Sequence, residues 1–394
     1  MKESDFKWPI ISKETEKSVL KQLHESISIY DNSGVIGELE SKFSDYFGIK
    51  FSLLTNSGTS ALFSMFMAAN FNKGDEVICP TYTFFATVTP LFFTGAIPVL
   101  ADCDSSGNIS PDEIIKKITP KTKAVIITHM WGIPCDMDRI VKICKEHNLL
   151  LFEDISHAFG AMYKGKKVGT FGDAAACSLQ AQKVLTGGEG GFFITNNNEM
   201  FYRALLLGHY NKRCKNEIPE SSELRKYSLT GMGLKLRIHP LAAAIALEQF
   251  DKVDKILINR NNFARQIYDE LQTFKEIEIL MPSKDESSSW YALIIKYRGK
   301  QPIQEFYNKL HEKGLVEMDM PGSTVPLHLL PLFQSPEYLF PDYKGKLNYK
   351  KGDFPNSEKF ASGIIKMPVW SMKKEKKYVD KYIRGIREVI QSDF

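Results

Sequence analysis

Residues 124–154 read AVIITHMWGIPCDMDRIVKICKEHNLLLFED, and this stretch decides the fold. Ala124–Thr128 and Leu149–Phe152 are continuous apolar runs of strand length, the pattern of strands buried on both faces. Between them, Ile140, Ile143 and Cys144 recur at helical spacing over Met137–His147, with Asp136 and Asp138 placed to favour the helix dipole. Strand, helix, strand in succession predicts parallel strands covered by helices. Working outward, Val77–Cys79 follows a Lys-Gly-Asp-Glu turn, Ile97–Ala101 ends at Asp102, and Phe51–Leu54 precedes a helical pattern. The repeated alternation predicts an α/β fold.

The chain has 394 residues, more than one hydrophobic core usually accommodates. An alanine-rich helical pattern starts at Pro240 and continues through Ile256 to Leu271. Beyond residue 275 the texture changes, with strand-like Ile277–Leu280 and Tyr291–Tyr297 set among helices. Two domains are expected: a large one over 1–255, and a smaller α+β one over 256–394. Residues 333–355, rich in Pro, Tyr, Lys and Asp, read as a surface excursion.

With 51 basic and 47 acidic residues the net charge is +4, and the basic residues are dispersed rather than striped, so nucleic-acid binding is not expected. The six cysteines form no C-x-x-C and no regular framework. Reduced thiols in a cytoplasmic protein are expected, with no metal. The N-terminal segment 1–8 lacks the apolar core of a signal peptide. The apolar stretch Thr87–Ala101 contains Pro90, Gly95 and Pro98 and is too short to span a bilayer. The expectation is a soluble protein with no membrane partner.

Chemistry concentrates at a few points. Asn56-Ser57-Gly58-Thr59-Ser60 lies between a strand and a helix, where backbone N–H groups and hydroxyls would suit a phosphate; the same residues make an ordinary helix cap. Phe84, just past a strand, would stack on a flat ring or sit in the core. Asp154 closes a strand at the sheet edge where ligands of α/β folds bind; a helix cap or a metal ligand would equally explain it. Lys183 follows Ser178 by five residues and precedes Gly187-Gly-Glu-Gly-Gly191, whose glycines permit close backbone approach. A lysine amine together with a distant carboxylate suggests Schiff-base chemistry on pyridoxal phosphate. Taken singly, Lys183 reads as a surface lysine, and His157 as a satisfied buried histidine.

The ordered set does more than its members. Gly37-Glu-Leu-Glu40, Asn56–Thr59, Gly74–Pro80, Thr83-Phe84, Trp131–Asp138, Glu153-Asp154, Gly169–Asp173, Ser178, Lys183, Gly188–Gly191, Arg237 and Pro326-Leu-His328 span most of the chain. Together they resemble the sugar aminotransferase family called DegT/DnrJ/EryC1/StrS, pyridoxal phosphate enzymes of the aspartate aminotransferase-like fold. The resemblance implies a large domain on a mixed, mostly parallel sheet and a smaller C-terminal domain. It implies that Lys183 holds the cofactor as a Schiff base and shuttles a proton, and that Asp154 pairs with the pyridine nitrogen. Phe84 would stack on the ring, while Gly58, Thr59 and Ser178 would bind the phosphate. His157 stands where the family usually has glutamine, near the phenolate oxygen, and Lys235 where it usually has asparagine, reaching the phosphate of the neighbouring subunit.

A cytoplasmic homodimer with interfacial active sites is implied. It would carry an amino group from glutamate or glutamine to a keto sugar, nucleotide-linked, through the pyridoxamine phosphate form, as in amino-sugar and polysaccharide biosynthesis. A keto-cyclitol (inosose-type) aminotransferase, a pyridoxamine-dependent sugar dehydratase and a non-catalytic regulatory protein are the alternatives. Lys183 speaks against the dehydratase, because family members of that kind replace the lysine with histidine. Tyr30, Trp131, His209, Tyr210, Arg213, His239 and His328 are candidate neighbours of the acceptor.

Overall fold

The computed structural model describes residues 5–393; residues 1–4, the start of the segment read above for a signal peptide, and residue 394 lie outside it. Strands β1 (Phe51–Thr55), β2 (Glu76–Pro80), β3 (Ile97–Ala101), β4 (Thr122–Thr128) and β5 (Leu150–Asp154) come first along the chain. Beyond the short β6 (Met162–Tyr163) and β7 (Lys166–Lys167) lie β8 (Ala174–Ser178) and β9 (Gly191–Thr195). The seven long ones form one sheet in the order β1-β9-β8-β5-β4-β2-β3. Only β9 runs against the rest, pairing antiparallel with both β1 and β8. This is the expected mixed, mostly parallel sheet of an α/β fold.

Alternation along the strands feeds two cores. Ile78, Val125 and Ile127 face one side, under the helices Gly34–Phe47 and Met137–Glu146. Val77, Cys79, Ala124 and Ile126 face the other, under Gly58–Ala69 and Asn198–Gly208. Side chains that alternate in period two are all buried here because both faces are covered, so the strands read as unbroken apolar runs. Met137–Glu146 begins as expected, with the Asp136 carboxylate accepting from the Arg139 N–H at 3.2 Å.

Strand β8 lies outside the sequence expectation. Its residues, Ala-Ala-Ala-Cys-Ser, have low strand propensity, and it forms because β5 and β9 pair with it on either side. The helical pattern 240–271 also divides: Pro240–Phe250 ends at Asp251 and a second helix runs over Val253–Leu271. That second helix spans two packing groups, since Val253 joins the first core while Phe263, Ala264 and Ile267 join a third. The third core surrounds a small antiparallel sheet of β10 (Ile277–Ile279), β12 (Leu293–Tyr297) and β13 (Ile364–Met367). Between β10 and β12, β11 (Glu286–Ser287) pairs with β6 and ties this part back to the larger one.

Residues 333–355 are not a surface excursion. Phe333, Tyr343, Leu347 and Phe354 are buried in the second core, and Phe92 packs against both Phe333 and Tyr343. The Tyr343 hydroxyl donates to the Ala96 carbonyl at 2.7 Å. The polar residues between these anchors face outward, and that composition disguised the segment. No helix among the described residues is long and apolar enough to cross a membrane.

If the segment is core, Tyr343→Ala should lower stability by about 3–5 kcal/mol in urea unfolding, the usual cost of a buried aromatic truncation. A change within about 0.5 kcal/mol, the surface value, would contradict the packing.

Candidate active site

The strands β1, β2, β4, β5 and β8 all point their carboxyl ends to one edge of the sheet, and the candidate residues collect there. A cavity of ≈ 390 Å³ is lined by Gly58, Thr59, Phe84, Asp154, His157, Ser178 and Lys183. Seven of the eight positions read from the sequence thus meet in one place. Lys235 does not line this cavity; it lies exposed in the stretch Met232–Lys235.

At one end of the cavity, Ser57 caps the helix Gly58–Ala69, accepting from the Ser60 N–H at 3.0 Å. The ordinary cap is therefore real, and the same helix start opens into the cavity. Gly58 packs so closely on the end of β8 that an added Cβ would lie 2.5 Å from Ser178 Cβ. The absence of a side chain brings backbone N–H groups and the Ser178 hydroxyl side by side, a combination suited to an anion.

Asp154 and Glu153 are adjacent carboxylates at the end of β5, and the pleat sends them to opposite faces. Glu153 is sealed in the core, where it accepts from the Gly169, Phe171 and Gly172 N–H groups at 2.7–2.8 Å. His129 Nδ1 accepts from the Cys135 N–H at 3.0 Å, so Nε2 carries the proton and donates to Glu153 at 3.1 Å. Asp154 faces the cavity. It accepts from Thr87 Oγ1 at 2.7 Å and from the Ser156 N–H at 2.9 Å. Thr83 links Thr87 to Thr128 by hydroxyl contacts of 2.9 Å, which fixes the rotamers behind the carboxylate. Phe84 is 37% exposed, so its ring belongs to the cavity wall rather than the core.

Lys183 stands on a turn closed by its own N–H donating to the Gln180 carbonyl at 2.9 Å. The Trp8 indole N–H donates to the Lys183 carbonyl at 3.0 Å and braces that turn from behind. The side chain reaches the cavity floor, with Nζ 4.5 Å from the centre of the Tyr291 ring. Burial lowers its pKa from 10.5 to about 8, while Asp154 and Cys177 pull the other way. Burial wins because the charge loses more hydration than two nearby acidic groups return.

His157 packs in a cluster of aromatic rings. Tyr291 stacks on it at 3.9 Å and 8°, and Trp131 lies 5.5 Å from it and 6.1 Å from Tyr291. Its Nδ1 is buried without a partner among the described residues. Burial drives its pKa well below the usual histidine value, and Lys183 and Lys366 push in the same direction, so the ring is neutral near pH 7. Trp131 adopts φ +59° and Trp290 φ +54°, both rare for bulky side chains. Gly132 packs between them: a Cβ there would meet Ser289 Oγ at 2.6 Å and the His157 carbonyl at 3.0 Å.

Thr87, Tyr291, Ser323 and Thr324 line the cavity but escaped the sequence reading. Thr87 follows Phe84 by one helical turn, a usable signal; Tyr291 sits in a strand-like run that gave none. Of the proposed acceptor neighbours, Trp131 flanks the cavity through His157. His328 is buried, 2.8 Å from Glu358. Tyr30, His209, Tyr210, Arg213 and His239 gather in a separate cavity of ≈ 190 Å³ with Arg237, whose guanidinium covers the Tyr210 ring at 3.7 Å.

The model of the DegT/DnrJ/EryC1/StrS aminotransferase family matches residues 10–384. GDP-perosamine synthase of Escherichia coli O157:H7 is 32% identical over 323 residues, covering 81% of this chain and 84% of that protein. The spore coat polysaccharide biosynthesis protein SpsC of Bacillus subtilis (strain 168) is 28% identical over 392 residues, covering 98% and 97%. Among solved structures, Helicobacter pylori PseC, an aminotransferase involved in the biosynthesis of pseudoaminic acid, superposes with a TM-score of 0.81. It covers 98% of both chains at 24% identity, a likeness of fold.

The lowered lysine pKa has a defined sign. Below pH 8 the folded and unfolded chains both carry a charged Lys183, so the fold bears the whole cost of the buried ammonium. Between 8 and 10.5 the folded chain releases its proton first and that cost fades. Lys183→Met should therefore stabilise the cofactor-free protein most below pH 8, with the gain shrinking toward pH 10.5. Urea unfolding across that range measures it; a gain independent of pH would contradict the buried amine.

Proposed function

The chain belongs to the DegT/DnrJ/EryC1/StrS aminotransferase family, pyridoxal phosphate-dependent enzymes, and on that premise we propose that it moves an amino group from glutamate or glutamine to a nucleotide-linked keto sugar. One observation carries this reading. The Lys183 amine, held near a pKa of about 8, shares a single cavity with the Asp154 carboxylate and the helix start at Gly58.

These residues fit the cofactor by their chemistry. When bound, pyridoxal phosphate supplies a carbonyl carbon for amines and a ring that draws electrons from the substrate's α-carbon. The Gly58 and Thr59 N–H groups and the Ser178 hydroxyl would bind its phosphate, and Phe84 would cover the ring. Asp154, its oxygens oriented by Thr87 and the Ser156 N–H, would keep the pyridine nitrogen protonated. Lys183 Nζ would hold the cofactor and, once the donor's amine has displaced it, would move a proton between the substrate's α-carbon and the cofactor, a task suited to an amine titrating near the working pH. His157 stays neutral and donates a hydrogen bond toward the phenolate oxygen, replacing the amide of the usual glutamine without adding charge.

The working unit in this reading is a homodimer. Exposed Phe85 and Phe93, together with Leu229, Met232 and Leu234, leave apolar surface that a second copy would cover. Lys235 follows directly on that stretch, so a neighbouring subunit would carry it to the phosphate. In this scheme the C-terminal part supplies Tyr291, Ser323 and Thr324 to the cavity. The six cysteines are buried free thiols, suited to a reducing cytoplasm.

Purified protein should absorb near the visible edge, and glutamate or glutamine should bleach that band through the amino-transfer half-reaction. Lys183→Ala should lose the band, and Asp154→Asn should slow the half-reaction by about 10²–10⁴-fold. A band that no amino donor changes would sink the reading. Light scattering should give twice the chain mass of 44.8 kDa. Lys235→Ala should weaken cofactor retention without altering that mass; unchanged retention would remove Lys235 from the phosphate site.

A further inference from the structure

A cavity of ≈ 600 Å³ lies against the turn that carries Lys183 and is not used by the chemistry above. Its walls come from the N-terminal strap at Trp8 and Ile10, the junction of the helices Pro240–Phe250 and Val253–Leu271, and the segment Ser371–Lys374. Three observations bear on what it does.

The interior is mostly apolar; Asn259 and Ser371 also line it, but each already has a hydrogen-bond partner. Trp8, Ile10, Ile256 and Met372 supply hydrocarbon, and the size falls within the range of small-molecule sites. Gln249, 6% exposed, lines the same space, and its Nε2 has no acceptor among the described residues. A buried amide N–H without a partner costs about 1–3 kcal/mol, which a ligand oxygen would relieve.

The rim is cationic. Lys252, Lys255, Lys373 and Lys374 stand against a single acid, Glu248. Glu248 is already engaged by Lys252 and by the Thr15 hydroxyl, the latter at 2.7 Å. Lys255, Lys373 and Lys374 form no ion pair among the described residues, so the mouth attracts negative charge.

The same walls grip the catalytic turn. The indole N–H of Trp8 donates to the Lys183 carbonyl at 3.0 Å, and Gln249 Oε1 accepts from the Thr186 N–H at 3.4 Å. Any molecule that takes up Gln249 Nε2 and packs on Trp8 acts on both braces of that turn.

We propose that this cavity is an effector site for an amphipathic anion, an elongated apolar body ending in one carboxylate, sulfonate or phosphate, and that its occupation alters the titration of Lys183. The coupling rests on the role given to Lys183 above; the binding does not. The test uses full-length, cofactor-loaded protein with 8-anilinonaphthalene-1-sulfonate as the fluorescent probe and decanoate as competitor.

The expected result is saturable 1:1 binding that decanoate displaces and decyltrimethylammonium does not. Ile256→Trp, which fills the cavity, should weaken the probe's Kd roughly tenfold or more while leaving the unfolding midpoint in place. The double variant Lys373→Glu/Lys374→Glu should weaken it with a reduced salt dependence, without relying on a packing change. Decanoate should shift the pH midpoint of the near-visible band by about 0.7 unit, a coupling of about fivefold.

No saturable binding, binding indifferent to both variants, or equal competition by the cationic amphiphile overturns the site. Binding that leaves the band's pH midpoint unmoved overturns the coupling. Absence of the band itself is a different outcome, the failure of the pyridoxal phosphate reading, and the probe titration distinguishes the two.

Discussion

The end of β5 places two carboxylates on consecutive residues, and the architecture depends on their separation by the pleat. Glu153 turns inward, where an unpaired charge would cost several kcal/mol. Three backbone N–H groups and the His129 imidazole satisfy it, and in doing so they pin the 169–172 loop and the end of β4 to β5. With those ends fixed, Asp154 has no freedom but to face the cavity, held by Thr87 and Ser156. One residue of slip would exchange the two roles.

Around that carboxylate the site is an exercise in withholding water. Lys183 loses enough hydration to bring its pKa to about 8 even with Asp154 nearby. The Tyr291 ring face at 4.5 Å offers the Lys183 ammonium a weak, uncharged partner that does not restore the ordinary value. His157 is kept neutral by the same burial, and the Lys183 charge discourages its protonation further. In the role proposed for it, His157 would replace a residue that cannot titrate, and its surroundings keep it from adding a charge. Trp131 adopts a positive φ, as does Trp290 directly before Tyr291, and Trp131 and Tyr291 supply the rings beside His157.

Much of this was legible in the chain. The buried strands 77–79, 97–101 and 124–128 announced themselves as apolar runs, and motif order singled out Lys183, Asp154, Ser178 and Gly58, which the fold brings into one cavity. Strand β8 was hidden because alanine carries little strand signal and its place is dictated by neighbours. The segment 333–355 was misread because its composition is polar on average, while four anchors, Phe333, Tyr343, Leu347 and Phe354, decide its packing. Tyr291 stayed invisible because it comes from another part of the chain, and its stack on His157 exists only after the C-terminal part has docked.

By itself, then, the sequence determined the sheet, the helices that cover it and the chemical types gathered at its edge, because periodicity and local motifs act over a few residues. The tertiary structure alone decided which of two adjacent carboxylates meets the cavity, how far Lys183 is dehydrated and that His157 stays neutral. It also decided that Lys235 stands apart from its own chain's site. Those outcomes depend on distances between residues remote in the chain, and on the water that their packing excludes.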